Sequence, residues 1–250
     1  MIPSRIVLIT GGSRGIGAAT ALLAASKGWA VAVNYASNAV AAESVVQQIT
    51  AQGGKAIAVQ GDVALPADIL RIFQTVDAQL GRISALVNNA GVVDRASRVD
   101  AMSPERLKRM FDINITGSFL CAREAVLRMS TKLGGSGGAI VNLSSVAARL
   151  GGPGQYVDYA ASKGAIDTFT VGLAKEVASE GIRVNAVRPG IIDTEIHASG
   201  GEPDRVRQLT HLIPVQRPGS AMEVAQAIVW LMGDESSYCT GTFIDVSGGR

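Results

Sequence analysis

The sequence predicts one α/β domain built on a parallel sheet with helices wound over both faces. Three observations carry that prediction. Short continuous apolar runs recur, the first being Arg5-Ile6-Val7-Leu8-Ile9-Thr10, as in strands buried on both faces. Between them lie stretches with helical composition and caps, so strand and helix alternate along the chain. The 250 residues are 47% apolar, which suits a large core and argues against a disordered chain.

The first strand, residues 5–10, stops at Gly11-Gly12-Ser13-Arg14-Gly15-Ile16-Gly17, and an alanine- and leucine-rich helix follows over 18–27. Strand, glycine turn and helix make a phosphate-binding context. Without side chains the turn brings backbone N–H groups and a helix N-terminus close to a pyrophosphate, and Gly17 lets the helix pack closely. The spacing is G-x-x-x-G-x-G rather than G-x-G-x-x-G. A second strand over 30–35 ends beside the expected position of an adenosine ribose. NAD sites usually place a carboxylate there, but Asn34, Tyr35, Ala36, Ser37 and Asn38 supply none. A 2′-phosphate meets no repulsion, and Arg14 can offer it a charge-assisted fork, with Ser37 and Asn38 as further donors. The plain alternative for Arg14 is a solvated loop arginine. The residue types therefore favour NADP over NAD.

A helix over 39–51, a strand over 55–59, a helix over 66–80 and a strand over 84–88 continue the alternation. Asp62-Val63 and Asn88-Asn89-Ala90-Gly91 follow the third and fourth strands, at the carboxyl edge where open α/β sheets bind ligands. Asp62 either accepts from an adenine amino group or caps the helix near Pro66, and the asparagines either line a cofactor trough or form turns. Ser103-Pro104 starts a helix that runs on past Asn114. Asparagine and glycine are unfavourable inside it, so Asn114-Ile115-Thr116-Gly117 marks a local irregularity, a functional use or a tolerated polar residue. A strand over 139–143 ends in Ser144-Ser145, and a glycine-rich loop over 151–154 leads to the next helix. A strand over 183–187, an irregular segment over about 193–216 that resembles a substrate lid, a helix over 221–232 and a strand over 242–246 complete the chain.

The helix after the glycine-rich loop carries Tyr159 and Lys163, four residues apart and so on one face. Of the four tyrosines, only Tyr159 is followed at that spacing by a lysine. A phenol is about a thousandfold too weak an acid to exchange a proton freely at neutral pH. A nearby ammonium stabilises the phenolate by up to roughly 4 kcal/mol at an effective dielectric near 20. The pair is a candidate general acid/base. Taken alone, it also fits a surface tyrosine beside a solvated lysine.

In order, Thr10-Gly11-x-x-x-Gly15-x-Gly17, Asn88-Asn89-Ala90-Gly91, Asn114, Ser145, Tyr159-x-x-x-Lys163 and Pro189-Gly190 resemble the short-chain dehydrogenase/reductase family along the whole chain. The likeness is to NADP-dependent 3-oxoacyl-acyl carrier protein reductase-like and glucose dehydrogenase-like members. It implies a single-domain Rossmann fold over residues 1–250, a doubly wound sheet of about seven strands in the order 3-2-1-4-5-6-7. It also implies Tyr159 as proton donor or acceptor, Lys163 lowering its pKa and binding the nicotinamide ribose, and Ser145 orienting the substrate oxygen. Asn114 would position a water in a proton relay. Cofactor contacts are implied for Gly11, Ser13, Arg14, Gly15, Ile16, Gly17, Asn34, Tyr35, Ser37, Asp62, Val63, Asn89, Ala90, Gly91, Tyr159, Lys163, Pro189, Gly190, Ile192 and Thr194. The activity implied is NADPH-linked hydride transfer to a carbonyl, or from a secondary alcohol. The implied assembly is a homotetramer packed through helices near 114–131 and 157–179 and the C-terminal strand.

Two departures stand out. The interval from Ser145 to Tyr159 is one residue longer than is common in the family, which leaves Ser144 as an alternative serine. Asp158 adds a charge near the site mouth, expected either to be solvated only or to favour polar substrates weakly. The lid mixes Ile196, His197, Arg205, Leu209 and Ile213, so an acyl thioester, a sugar and a small ketone or aldehyde all remain open.

Other classes fit poorly. The net charge of +2 is interspersed and aromatics are 4%, so neither a basic stripe nor a stacking platform for nucleic acid is present. Cys121 and Cys239 lack paired spacing, no apolar run reaches membrane-spanning length and no leader pattern opens the chain, so a cytoplasmic protein is expected. His197 and His211 lack metal-ligand spacing. A non-catalytic dinucleotide sensor and an NAD-preferring sugar or alcohol dehydrogenase are the alternatives. A methyltransferase would need an acidic second-strand end and has no use for the Tyr/Lys pair.

Overall fold

In the computed structural model, described over residues 5–195, 200–202 and 204–250, the apolar runs pair side by side into one parallel sheet. In chain order the strands are β1 (Ile6–Ile9), β2 (Ala30–Tyr35), β3 (Ala56–Gln60), β4 (Ala85–Asn88), β5 (Gly138–Leu143), β6 (Ile182–Pro189), β7 (Ile192–Asp193), β8 (Gly219–Ser220) and β9 (Phe243–Val246). The main sheet has seven strands in the order β3-β2-β1-β4-β5-β6-β9. This is the expected topology, with β9 in the seventh place. The short pair β7–β8, two residues to a strand, comes between and was not foreseen.

Alternation along each strand divides the core into two layers. Ile6 and Leu8 of β1 join Leu86 and Ile140 on one face, beneath Phe73 and Ala125. Val7 and Ile9 join Val33, Val87 and Val141 on the other, beneath Ala21 and Ile228. Both faces of β1 and β4 are buried, which is why these strands read as unbroken apolar runs.

The helices are α1 (Gly15–Ser26), α2 (Ala39–Ala51), α3 (Pro66–Gln79), α4 (Pro104–Phe111), α5 (Gly117–Met129), α6 (Ala147–Leu150), α7 (Val157–Val177), α8 (Arg205–Leu209) and α9 (Ala221–Met232). Helix α1 starts inside the glycine turn, not at residue 18, with Arg14 in an extended conformation just before it. The helical region expected to run past Asn114 with an irregularity there is α4 and α5 joined by a π turn, Asp112–Thr116, so the irregularity signalled by Asn114 and Gly117 is one widened turn. Helix α6, four residues long, was not anticipated. In the lid segment, α8 and the 3₁₀ turn Thr210–Leu212 are the regular pieces, whereas Ile196, His197 and Pro203 lie outside the described residues.

Because β1 pairs with both β2 and β4, the connections leaving β1 and β4 run to opposite sides. Gly11 and Asn89 meet at the carboxyl ends of β1 and β4, the switch point where open sheets of this kind form a binding crevice. No helix among the described residues is long and apolar enough to cross a membrane.

Candidate active site and cofactor cleft

Thr10 joins the two strand ends that form the crevice. Its hydroxyl accepts from the Asn89 and Ala90 N–H groups at 3.0 Å each and donates to the Val87 carbonyl at 3.3 Å. Asn89 Nδ2 in turn donates to the carbonyls of Thr10 (2.8 Å) and Gly11 (3.0 Å). A side chain on Gly17 would place Cβ 2.4 Å from the Gly11 oxygen and 2.6 Å from Asn89 Nδ2, so only glycine fits there. Helix α1 is not capped by its own N-cap side chain, Arg14, and its first turn points N–H groups toward the turn, with the Glu195 carboxylate near Gly15. A bare-backbone cradle opening on a helix N-terminus fits a dinucleotide pyrophosphate.

The other expected cofactor residues divide into two groups. Ile16, Asn89, Gly91, Tyr159, Lys163, Pro189, Gly190, Ile192 and Thr194 line one cleft of about 420 Å³. Thr194 lies against Gly15, where a Cβ would meet its Cγ2 at 3.4 Å. Gly11, Ser13, Arg14, Gly15, Gly17, Asn34, Tyr35, Ser37, Asp62, Val63 and Ala90 do not line that cleft. Asn34 is buried and engaged within the protein: Oδ1 accepts from Gly11 N–H (3.3 Å), and Nδ2 donates to the carbonyls of Val59 (3.2 Å) and Gly61 (2.9 Å). Its side chain braces the glycine turn against β3. Arg14 and Ser37 are exposed. Asn38 caps α2 by accepting from Ala41 N–H at 3.0 Å. Asp62 does not cap α3, since its Oδ1 accepts from Ala64 N–H at 2.9 Å and Leu65 holds the cap position.

In the same cleft, β5 delivers the two serines and α7 delivers Tyr159 and Lys163. Ser144 donates to the Lys163 carbonyl at 3.2 Å and is engaged with α7. Ser145 accepts from Ala147 N–H at 3.1 Å and hydrogen-bonds the Tyr159 phenol. The serine that meets the phenol is therefore Ser145. Lys163 Nζ donates to the Leu143 carbonyl at 2.6 Å and lies 5.6 Å from the centre of the Tyr159 ring.

Burial governs both ionisations. It pushes the phenol up to about 12, with the Ser145 hydrogen bond opposing it and Tyr156 adding to it. It pulls the Lys163 ammonium down to about 8, partly offset by Asp167. The expected lowering of the tyrosine by its lysine is not among the causes that set the phenol, which desolvation dominates.

The π turn holds Asn114, 1% exposed, between the loop after β4 and α7. Its Oδ1 accepts from Val92 N–H (2.8 Å), while Nδ2 donates to the Val92 carbonyl (3.0 Å) and the Ser162 hydroxyl (3.1 Å). The side-chain amide is engaged at both ends, and the main-chain carbonyl accepts from the Ser118 hydroxyl at 3.3 Å.

Asp158 corrects another expectation. It is 3% exposed and gripped by Arg106, whose Nε and Nη2 lie 2.7 and 3.2 Å from its two oxygens. The pair pins the first turn of α7 to α4, and Arg106 Nη1 reaches on to the Arg95 carbonyl at 2.7 Å. With 52 positions between the partners, sequence reading missed Arg106. It also missed the buried chain in which Asn88 donates to Asn142 (3.0 Å) and Asn142 to Thr170 (2.9 Å). Among the described residues, no group of histidine, cysteine and carboxylate side chains could hold a metal ion.

Comparison with known proteins matches residues 11–250 to a family described as enoyl-(acyl carrier protein) reductase. The chain is 58% identical over 245 residues to the uncharacterized oxidoreductase YgfF of Escherichia coli, covering 98% of this chain and 99% of that protein. It is 41% identical over 250 residues to a 3-oxoacyl-[acyl-carrier-protein] reductase of Synechocystis, covering 99% and 97%. A blue fluorescent protein from a metagenomic library, solved in complex with NADPH, superposes with a TM-score of 0.89 at 33% identity, covering 98% of this chain and 97% of that one.

Proposed function

The chain belongs to the short-chain dehydrogenase/reductase family of oxidoreductases, and on that premise we propose that it is an NADP(H)-dependent enzyme acting on a carbonyl or secondary alcohol. The observation that carries this reading is the convergence of Ser145, Tyr159 and Lys163 in one cleft with Ile16 at the start of α1 and with Asn89 and Gly91 after β4. When bound, the nicotinamide cofactor supplies the hydride.

This chain's residues handle the proton and the charge. With its pKa raised to about 12, Tyr159 holds its proton at neutral pH and is ready to give it to a substrate oxygen. Ser145 accepts from Ala147 N–H, so its own proton is free to point at the phenol or the substrate oxygen and to stabilise charge developing there. Lys163, anchored to the Leu143 carbonyl, opposes the negative charge left on the phenol oxygen. Asn114 holds the Val92 loop against α7.

The preference for NADP rests on the absence of a carboxylate at the end of β2 and on exposed Arg14 at the turn. The NADPH-bound structural relative supports it. The exposed faces of α5 and α7 suit the contact of a homotetramer. Phe119, 44% exposed, stacks on Phe169 at 3.7 Å with exposed Leu127 on the same helix.

A panel of 3-oxoacyl thioesters, sugars, and small ketones and aldehydes, followed by loss of nicotinamide absorbance with NADPH and with NADH, tests the reading. Turnover is expected with NADPH preferred. Arg14→Ala should erode that preference by about tenfold or more, the scale of one charged hydrogen bond, and leave NADH kinetics unchanged. Silence across the panel alongside tight nucleotide binding would contradict the enzyme reading.

A further inference from the structure

Within the longer interval between Ser145 and Tyr159, Gln155 and Tyr156 line the cleft beside Tyr159. The Tyr156 ring is held on three sides. Tyr159 meets its edge, with ring centres 5.8 Å apart and planes at 88°. The Arg205 guanidinium lies over its face, 4.6 Å from the ring centre, and hydrogen-bonds its hydroxyl. Gly152, at φ +58°, approaches so closely that a Cβ there would stand 2.9 Å from Tyr156 Cδ2.

Arg205 is itself fixed. It is 8% exposed, with Nη2 donating to Gln155 Oε1 at 2.7 Å and Nη1 to Glu202 Oε2 at 2.8 Å. Glu202 Oε1 accepts from Ala96 N–H at 3.0 Å, and Ser97 N–H donates to the Gln155 carbonyl at 2.7 Å. The charge of Arg205 is paired with Glu202 within the wall, and among Gln155, Glu202 and Arg205, which also line the cleft, this network sets the Tyr156 ring as the wall's aromatic surface.

We propose that Tyr156 is a specificity-determining residue: its ring is the wall against which the substituent on the substrate carbonyl packs, and Arg205 is the positioning residue that fixes it. The wall caps the bulk of that substituent and favours compact carbonyl compounds over aryl or branched ones. The proposal rests on reading the cleft as a carbonyl reductase site.

The test compares a small aliphatic ketone with an aryl ketone in the wild type, Tyr156→Ala, Tyr156→Phe and Arg205→Met. It measures kcat/KM with NADPH and, by calorimetry, the dissociation constants of both ketones from the complex with NADP⁺. In Tyr156→Ala the aryl-to-aliphatic ratio should rise by about tenfold or more, the scale on which apolar pockets discriminate size. Arg205→Met should raise it less, and Tyr156→Phe, which keeps the ring, should stay close to wild type. An equal loss for both ketones in folded Tyr156→Ala would overturn the proposal. Should Tyr156→Ala not fold, an unchanged ratio in Arg205→Met overturns it in the same way. A wild type that turns over neither ketone would contradict the reductase reading instead, and the ratio of dissociation constants would still decide the role of the ring.

Discussion

Tyr159 and Lys163 are displaced in opposite directions by the same cause, loss of water around their charged forms, and strongly displaced groups in a cleft mark working sites. A protonated phenol beside a lysine titrating near 8 is set up for reduction at neutral pH. The sign follows from the lysine: below pH 8 it is charged, and it loses that charge as pH rises through about 8. We predict that kcat/KM for NADPH, which reports the free enzyme, is flat below that point and falls above it. A flat profile up to pH 10 would contradict a role for the Lys163 ammonium. Tyr159, Lys163 and Ser145 were legible because their chemistry sits at fixed spacing and at a strand end. Asn34 and Asp158 have side-chain partners that the sequence hid for one shared reason. Each is consumed by partners distant in sequence, Asn34 by Val59 and Gly61 and Asp158 by Arg106, and no local pattern announces such a partner.

At the scale of elements, α7 is positioned from both ends of its first two turns. Arg106 on α4 grips Asp158, while Asn114 in the π turn bonds Ser162. The Arg106 and Asp158 side chains are only 12% and 0% exposed, so removing one partner strands a buried charge. Arg106→Met should cost about 3–5 kcal/mol in chemical denaturation. Arg106→Met combined with Asp158→Leu should recover much of that loss, because no charge is then left unpaired. Equal losses in the single and double variants would contradict the argument. The π turn was half legible: Asn114 and Gly117 announced a defect in a helix, but its form depends on Asn114 binding the Val92 backbone. The start of α1 inside the glycine turn was hidden because glycine has low helix propensity, and close packing on Gly11 overrides it there.

The molecule as a whole is a sheet whose alternation of strand and helix was plain from the apolar runs, and with it the carboxyl edge on which the cleft lies. Less plain was what closes the cleft. The β7–β8 pair is too short to leave a periodic signal, and Arg205 and Glu202 reach Gln155, Tyr156 and Ala96 across the fold. The central claim is that this cleft transfers a hydride with Tyr159 handling the proton, and Tyr159→Phe tests it most directly. The substitution keeps the ring against Tyr156 and removes only the hydroxyl. The expected result is loss of carbonyl reduction by roughly a hundredfold to ten-thousandfold, the usual worth of a positioned acid, with NADPH affinity unchanged. A folded Tyr159→Phe enzyme that reduces carbonyls at close to the wild-type rate would contradict the account.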